Sequence, residues 1–507
     1  MAEQEARICA VITEPTVSEA RAAMQRAATV ADLIELRLDY LRDFDFNDPS
    51  RLSALLKQKP LPVIATCRAA DEGGQQTIDK GVRLRLLAAS LEQGADYCDI
   101  EAAHYDERVA RLLDPSRLIV SYHNFNETPA DLTTIFDRLT SLPAAIHKIA
   151  VRANDISDSL EVFALLKRAR LEGQTIIAIA MQEAGMVTRI LGPSRGSFLT
   201  FGSMRRGHES APGQVTCDEL RDLYRIHSLS RDTQIVGIIG KPVSHSASPL
   251  MHNRAFRECG LDYIYLPFEV GNVEAFFKRF VRPATREMDW RLRGFSVTIP
   301  HKTAVIPFLD EMDETARRIG AVNTVVVEGN RLKGYNTDAY GAIAPLADLT
   351  ELRATHCAVI GTGGSARAVV FGLLERGARV TIFARDMNKA AALADEFGVE
   401  MNHLDAISES DAEVIINTTP VGMTNHSDGT SVIHADTWHG RRIAYDLVYN
   451  PLETRFLADA RRHGCLGLSG IEMLVAQAAR QFELWTGRLP SIETMRQAAL
   501  KKVSPPA

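Results

Sequence analysis

Two residues in the first half of this sequence are out of place in a purely structural pattern. Lys148 lies inside the apolar run HKIAVRA (147–153), and His123 falls near the end of RLIVSYHNF (117–125). A lysine amine adds to a ketone, and the iminium formed acidifies the adjacent carbon. A histidine nearby can take that proton and return one to a departing hydroxyl. Only the neutral amine attacks, and Ile149, Ala150 and Val151 predict an apolar strand around it. Arg68 and Glu101 close two further runs, PVIATCR (62–68) and YCDIE (97–101). Singly, Lys148 reads as a rim lysine and His123 as a satisfied core histidine. A converging set is poorly explained that way.

The second half carries another pair. Lys302 follows the turn Pro300-His301, and Asp338 lies in GYNTDAYG (334–341). Reducing a ketone needs hydride on carbon and a proton on the forming alkoxide. A lysine ammonium supplies the proton and stabilises the charge, and a neighbouring carboxylate orients it. Lys302 alone would be a surface lysine after a proline turn; the pairing favours chemistry.

The stretch HCAVIGTGGSARAVVFGLLERGARVTIFARD (356–386) is a strand, a glycine turn, a helix opening at Ser365 and a second strand. Glycines let backbone approach a pyrophosphate, and the helix N-terminus offers free amides. After the second strand come Arg385, Asp386 and Lys389. Arg385 and Lys389 suit a 2′-phosphate, so NADP is the expected cofactor, although Asp386 could serve the ribose of NAD.

Elements must hold these groups in place. Short Ile- and Val-rich runs at 7–12, 33–41, 62–68, 97–101, 117–125, 147–153, 175–181 and 198–203 alternate with helical stretches such as 157–173, where Gly173 suits a C′ position. This predicts a (β/α)8 TIM barrel with its chemistry at the C-terminal strand ends. The polar junction SLSRDTQ (228–234) sets a boundary near 230. Beyond it, a two-lobed α/β unit is expected. Residues 234–336 end in a hairpin turning at Gly329-Asn330, 356–470 form a Rossmann-type lobe, and a helix over 471–487 returns to the first lobe. The expected domains are 1–230, 233–337 with 475–503, and 338–474, with KKVSPPA (501–507) a loose end.

Of the 507 residues, 46% are hydrophobic and 24% charged, with net charge −6. These are globular values that favour neither a nucleic-acid nor a membrane partner. No run approaches the ~18 apolar residues of a span. The beginning, MAEQEARICAVITEP, has no targeting pattern, so a cytoplasmic site is expected. Seven scattered cysteines without a CxxC pair predict reduced thiols and no metal.

With these residues in view, the second half resembles shikimate dehydrogenase along its length. The resemblance rests on GKPVSHSASPLMHN (240–253), GFSVTIPHK (294–302), GAVNT (320–324), GYNTDAYG (334–341), GTGGSARA (361–368), NTTPVGM (417–423), YDLVYNP (445–451) and GIEMLVAQAARQF (470–482). It implies that Ser246 and Ser248 bind a substrate carboxylate and that Thr298, Asn323, Tyr449 and Gln477 hold ring substituents. Lys302 and Asp338 would be catalytic. Gly361, Thr362, Gly363, Gly364, Ser365, Ala366, Arg385, Lys389, Thr418, Leu447 and Gly470 would line NADP. The chain departs from the family at Ala384-Arg385-Asp386, where Asn-Arg-Ser/Thr is usual.

The first half resembles type I 3-dehydroquinate dehydratase through IELRLDYL (34–41), ATCRAADEGG (65–74), DIE (99–101), SYHNF (121–125), HKIAV (147–151), TRILG (188–192) and SAPGQ (210–214). It implies Lys148 as Schiff-base nucleophile, His123 as general acid–base and Glu72 as the carboxylate that orients it. Glu35, Arg37, Arg68, Arg189, Ser210 and Gln214 would bind substrate, with Arg189 on its carboxylate. Asn124 replaces a common Asp.

Jointly the resemblances imply a lyase and an oxidoreductase in one chain, converting 3-dehydroquinate through 3-dehydroshikimate to shikimate. Two alternatives stand beside this: a quinate or NAD preference in the second half, and a metabolite sensor without chemistry. The sensor should have lost one of Lys148, His123, Lys302 or Asp338, and all four are present. The oligomeric state is left open.

Overall fold

A computed structural model of the chain describes residues 5–424, 427–438 and 443–503. The chain forms two compact units: Met1–Gln234 with Lys241–Ser244 and Leu266–Arg291, and Ile235–Gly240 with His245–Tyr265 and Leu292–Ala507.

In the first unit, eight strands form one parallel sheet: β1 (Ile8–Ile12), β2 (Leu33–Arg37), β3 (Val63–Thr66), β4 (Tyr97–Glu101), β5 (Leu118–Asn124), β6 (Ile146–Arg152), β7 (Ile176–Met181) and β8 (Thr200–Ser203). The spatial order is β7-β6-β5-β4-β3-β2-β1-β8. A parallel bridge between Ile176 and Ser197 joins the two ends, which makes the sheet a barrel. β1, β2, β3, β7 and β8 are buried throughout, as strands covered on both faces must be.

Strand alternation then sorts the interior into layers, because residues two apart share a face. Leu33, Ile64, Ile119, Ile146 and Ile177 belong to one apolar cluster. Two residues on along β2, β3, β5 and β6 stand Glu35, Thr66, Ser121 and Lys148. The barrel is therefore apolar toward its N-terminal end and charged toward its C-terminal end.

The second unit holds the Rossmann-type lobe. Its six-stranded parallel sheet runs, in spatial order, Glu400–His403, Arg379–Ala384, His356–Ile360, Val414–Asn417, Ile443–Asp446 and Leu466–Ser469. The order reverses between His356–Ile360 and Val414–Asn417, the switch point where such sheets bind ligands. The other sheet of the second half has seven strands, with Gly294–Val297 parallel to Gln234–Gly240 and antiparallel to Thr324–Glu328. The hairpin at Gly329-Asn330 forms as expected, with Glu328 opposite Arg331.

The long helix Gly470–Thr486 returns to this sheet. Trp485 Nε1 donates to the Val325 carbonyl at 3.0 Å, and Gln481 Nε2 donates to Thr324 Oγ1 at 2.9 Å. The expected loose end is corrected in part: Lys501–Val503 finish the helix Ile492–Val503, and residues 504–507 lie outside the described residues.

Candidate active sites

In the barrel, all nine expected site residues border one open cavity: Glu35, Arg37, Arg68, Glu72, His123, Lys148, Arg189, Ser210 and Gln214. Phe125, Ile179, Met181 and Phe201 complete its apolar wall.

Lys148 is 5% exposed. The apolar setting expected for it is corrected. Ile149 and Val151 do pack into the core, but they alternate away from Lys148, which points to the barrel interior. There Nζ lies 3.1 Å from Asp99 Oδ2, 3.4 Å from Glu35 Oε1 and 4.4 Å from the Phe201 ring centre.

His123 Nδ1 pairs with Glu72 Oε2 at 2.9 Å. Burial, then the cations Arg68 and Lys148, hold the imidazole well below its ordinary range. Burial, then the Glu101 charge, pushes the Glu72 carboxyl up to about 7. Both effects favour an uncharged imidazole, which is the form that accepts a proton. Asn124 is occupied locally, its Oδ1 accepting from the Asn126 and Glu127 amides.

The arginines differ in their partners. Arg37 is bound through two nitrogens by Asp39. Arg68 was expected to hold substrate, yet its terminal nitrogens are committed to Asp99, Glu101 and Ser121. It borders the cavity mainly as an anchor. Arg189 has no carboxylate partner among the described residues. Its Nη2 reaches the Pro212 carbonyl at 3.4 Å, its Nε is buried without a partner, and burial alone pushes it down to about 10.

A buried unpaired guanidinium costs stability unless an anion completes it. R189M is therefore expected to move two measurements in opposite directions. The melting temperature should rise by a few degrees, and kcat/KM for an anionic substrate should fall about a hundredfold with the loss of a charge-assisted contact. A lower melting temperature with unchanged KM would contradict the assignment.

Asp99, Ser121, Phe201 and Asp39 were missed. Asp99 was legible: it shares a strand face with Tyr97 and Glu101 in YCDIE, so one polar group on that face implied two.

In the second unit, Lys302 Nζ lies 2.6 Å from Asp338 Oδ2, and Asn323 Nδ2 donates to Asp338 Oδ1 at 2.9 Å. Asn323 was expected to hold substrate. Its Nδ2 also serves Thr337 Oγ1, and its Oδ1 accepts from the Thr337 amide and Thr324. It acts as a brace for Asp338. Gln477 likewise donates back to Leu474, although its Cβ packs where a Cβ on Gly341 would stand. The turn after Gly294–Val297 carries both Thr298 and Lys302: the His301 amide donates to the Thr298 carbonyl at 2.9 Å, and the Val322 amide donates to the Lys302 carbonyl at 2.8 Å. Ser246 Oγ accepts from the Ser248 amide at 3.1 Å, just ahead of the helix Ser248–Glu258. No hydrogen bond among the described residues joins Ser246 or Tyr449 to the lysine pair.

The glycine turn fits a dinucleotide. Gly361 has φ +119°, and a Cβ there would meet Thr418 Oγ1 at 2.6 Å, so only glycine brings the two strand ends this close. Nothing lies within 4 Å of a Cβ at Gly363 or Gly364. The helix begins at Gly364, one residue before the expected Ser365, and no side chain caps it. Its first amides are free for an anion. Ala366 contributes its backbone only, since its methyl is in the core. Leu447 and Gly470 touch: a Cβ on Gly470 would meet the Leu447 carbonyl at 2.2 Å. Asp386 caps the next helix through the Lys389 amide, with Lys389 Nζ 3.4 Å away. Arg385 is exposed with no partner among the described residues.

Loops that wall this cleft are tied by Asp446. Its Oδ1 accepts from Asn417 and the Val448 amide, and its Oδ2 from Thr454 Oγ1 at 2.6 Å. Burial pushes the carboxyl up to about 6 against these bonds. The folded state thus holds the proton more tightly than the unfolded chain. The group's stabilising contribution is present below pH ~4 and is lost as pH rises through ~6, leaving a penalty of about 3 kcal/mol above it. D446N keeps the two Oδ1 bonds and removes the charge. Its melting temperature should exceed that of the parent at pH 8, with the gap closing by pH 4. A gap independent of pH would exclude this account.

A barrel with a buried lysine in its cavity, followed by a Rossmann-ordered lobe, defines a two-part α/β enzyme. Comparisons with known proteins agree. Type I 3-dehydroquinase matches residues 8–231. The shikimate dehydrogenase substrate binding domain matches 238–325, and the shikimate 5′-dehydrogenase C-terminal domain matches 470–500. Residues 356–432 match the coenzyme F420-dependent NADP oxidoreductase family. A chloroplastic bifunctional 3-dehydroquinate dehydratase/shikimate dehydrogenase of Arabidopsis thaliana is 36% identical over 506 residues, 95% of this chain and 82% of that protein. A shikimate dehydrogenase (NADP(+)) of Methanobrevibacter smithii is 40% identical over 283 residues, 54% of this chain and 98% of that protein. A solved shikimate 5-dehydrogenase-like protein is similar with TM-score 0.50 and 28% identity, over 54% of this chain and all (100%) of that one. The chain belongs to the family of bifunctional 3-dehydroquinate dehydratase/shikimate dehydrogenases.

Proposed function

We propose that the barrel dehydrates 3-dehydroquinate to 3-dehydroshikimate and that the second half reduces this to shikimate with NADPH. The observation that carries the reading is the convergence of Lys148, His123 and an unpaired Arg189 on one cavity. Arg189 takes the substrate carboxylate, while Ser210 and Gln214, hydrogen-bonded to each other, close on its hydroxyls. Lys148 adds to the ketone and forms an iminium with loss of water. His123 removes the adjacent proton and later protonates the leaving hydroxyl. Water then releases the product from the lysine.

In the second half, Lys302 protonates the alkoxide oxygen and Asp338, braced by Asn323, keeps the ammonium aimed. NADPH supplies the hydride when bound. Gly361, Gly363 and the free amides after it receive its pyrophosphate. The free Arg385 favours a 2′-phosphate, and Asp386, spent on a helix cap, is a poor ribose partner, which supports NADP over NAD. The domains run 1–230, 233–337 with 475–503, and 338–474. Among the described residues no helix is long and apolar enough to cross a membrane, and the seven cysteines are free, consistent with a reducing cytoplasm.

The test is one reaction vessel holding the protein, 3-dehydroquinate and NADPH, with nicotinamide absorbance followed and the product identified. NADPH consumption with shikimate formed is expected. Consumption only when 3-dehydroshikimate is supplied directly would remove the dehydratase reading.

A further inference from the structure

We infer that Asp99 is the positioning residue of the barrel site, holding Lys148 and supplying the fixed counter-charge for its iminium. This rests on Lys148 being the Schiff-base nucleophile and goes beyond it. Asp99 is 1% exposed and lies nearer to the amine than Glu35 does. All its lone pairs are directed. Oδ1 accepts from Ser121 Oγ at 2.7 Å and Arg68 Nη1 at 2.9 Å, and Oδ2 from Arg68 Nη2 at 3.0 Å and Lys148 Nζ at 3.1 Å. Among the described residues Glu35 has only Thr66 to steady it besides the lysine.

Burial alone would push the Asp99 carboxyl up, but Arg68 and then Lys148 hold it well below the usual carboxylate range. It therefore stays charged through the cycle and is not the proton acceptor. The overall step is ketone plus ammonium giving iminium plus water. A carbon–nitrogen double bond forms, the carbon–oxygen double bond breaks, and two ammonium protons leave in the water. The single positive charge begins and ends on the same nitrogen. An anion locked beside that nitrogen matches both states without moving, and it stabilises the iminium as preorganised charge does. Arg68 has a role in the same device: it clamps the anion rather than the substrate.

The experiment is D99N in the full chain, read by dehydration kinetics and by borohydride trapping with 3-dehydroquinate. The expected result is a fall in kcat of about a hundredfold with KM within about threefold. The Lys148-labelled fraction should fall about tenfold at matched times. Wild-type kcat and wild-type labelling in D99N would overturn the inference while leaving the Schiff base intact. Absence of labelling in the parent protein would instead remove the Schiff-base reading itself. Should D99N fail to fold, S121A keeps the charge and removes one anchoring bond. Its kcat is expected to fall about fivefold at unchanged KM, the equivalent of one hydrogen bond. An unchanged kcat in S121A would overturn the inference.

Discussion

K148M is expected to lose dehydratase activity by at least about 10⁴-fold while shikimate oxidation by the same protein stays at the parent rate. The reason is chemical. Among the residues that border the barrel cavity Lys148 is the only amine, and guanidiniums do not form Schiff bases. Methionine keeps the length and apolar bulk of the lysine, so packing against Phe201 is retained. Asp99 remains compensated by Arg68, which limits the cost of removing the ammonium. The activity loss should thus appear without unfolding, with the dehydrogenase rate as the internal control. A K148M protein that dehydrates within tenfold of the parent would mean that the barrel works through another group, and His123 with Glu72 would be the place to look.

K302A should lower kcat for shikimate oxidation and for the reverse reduction about a thousandfold, with both KM values within a few fold. Lys302 and Asp338 form one charge-paired unit, and Asp338 is in turn held by Asn323. On the proposed mechanism, removing the ammonium takes away the proton donor and the charge that meets the alkoxide. The dinucleotide turn at Gly361 and the Arg385 side chain are untouched. Added small primary amines should recover part of the rate, because the Lys302 side chain is 32% exposed and the space it vacates is open to solvent. A large rise in KM with unchanged kcat would make Lys302 a binding residue only.

The residues proposed to do chemistry were legible because each breaks a local pattern. A lysine inside HKIAVRA and a histidine after LIVSY interrupt apolar strands, and in the glycine turn between strand and helix Gly363 and Gly364 have no neighbour that requires a glycine. The barrel was legible for a similar reason: strands buried on both faces read as short unbroken apolar runs. Partner choice was not legible. Nothing in the residue type distinguishes Arg68, clamped by two acids, from Arg189, which has none. Nor does it distinguish an Asn323 that touches substrate from one that braces Asp338.

By itself, then, the order of residues determined the two folds, the two lysines proposed to react and the place of the glycine turn. Periodicity and glycine placement are local properties, and they act within one strand or one helix. The tertiary structure alone decided the surroundings of Lys148, by bringing Glu35 from β2 and Asp99 from β4 to a side chain on β6. Those residues are far apart in the chain and meet only because barrel closure turns one face of every strand toward the same axis.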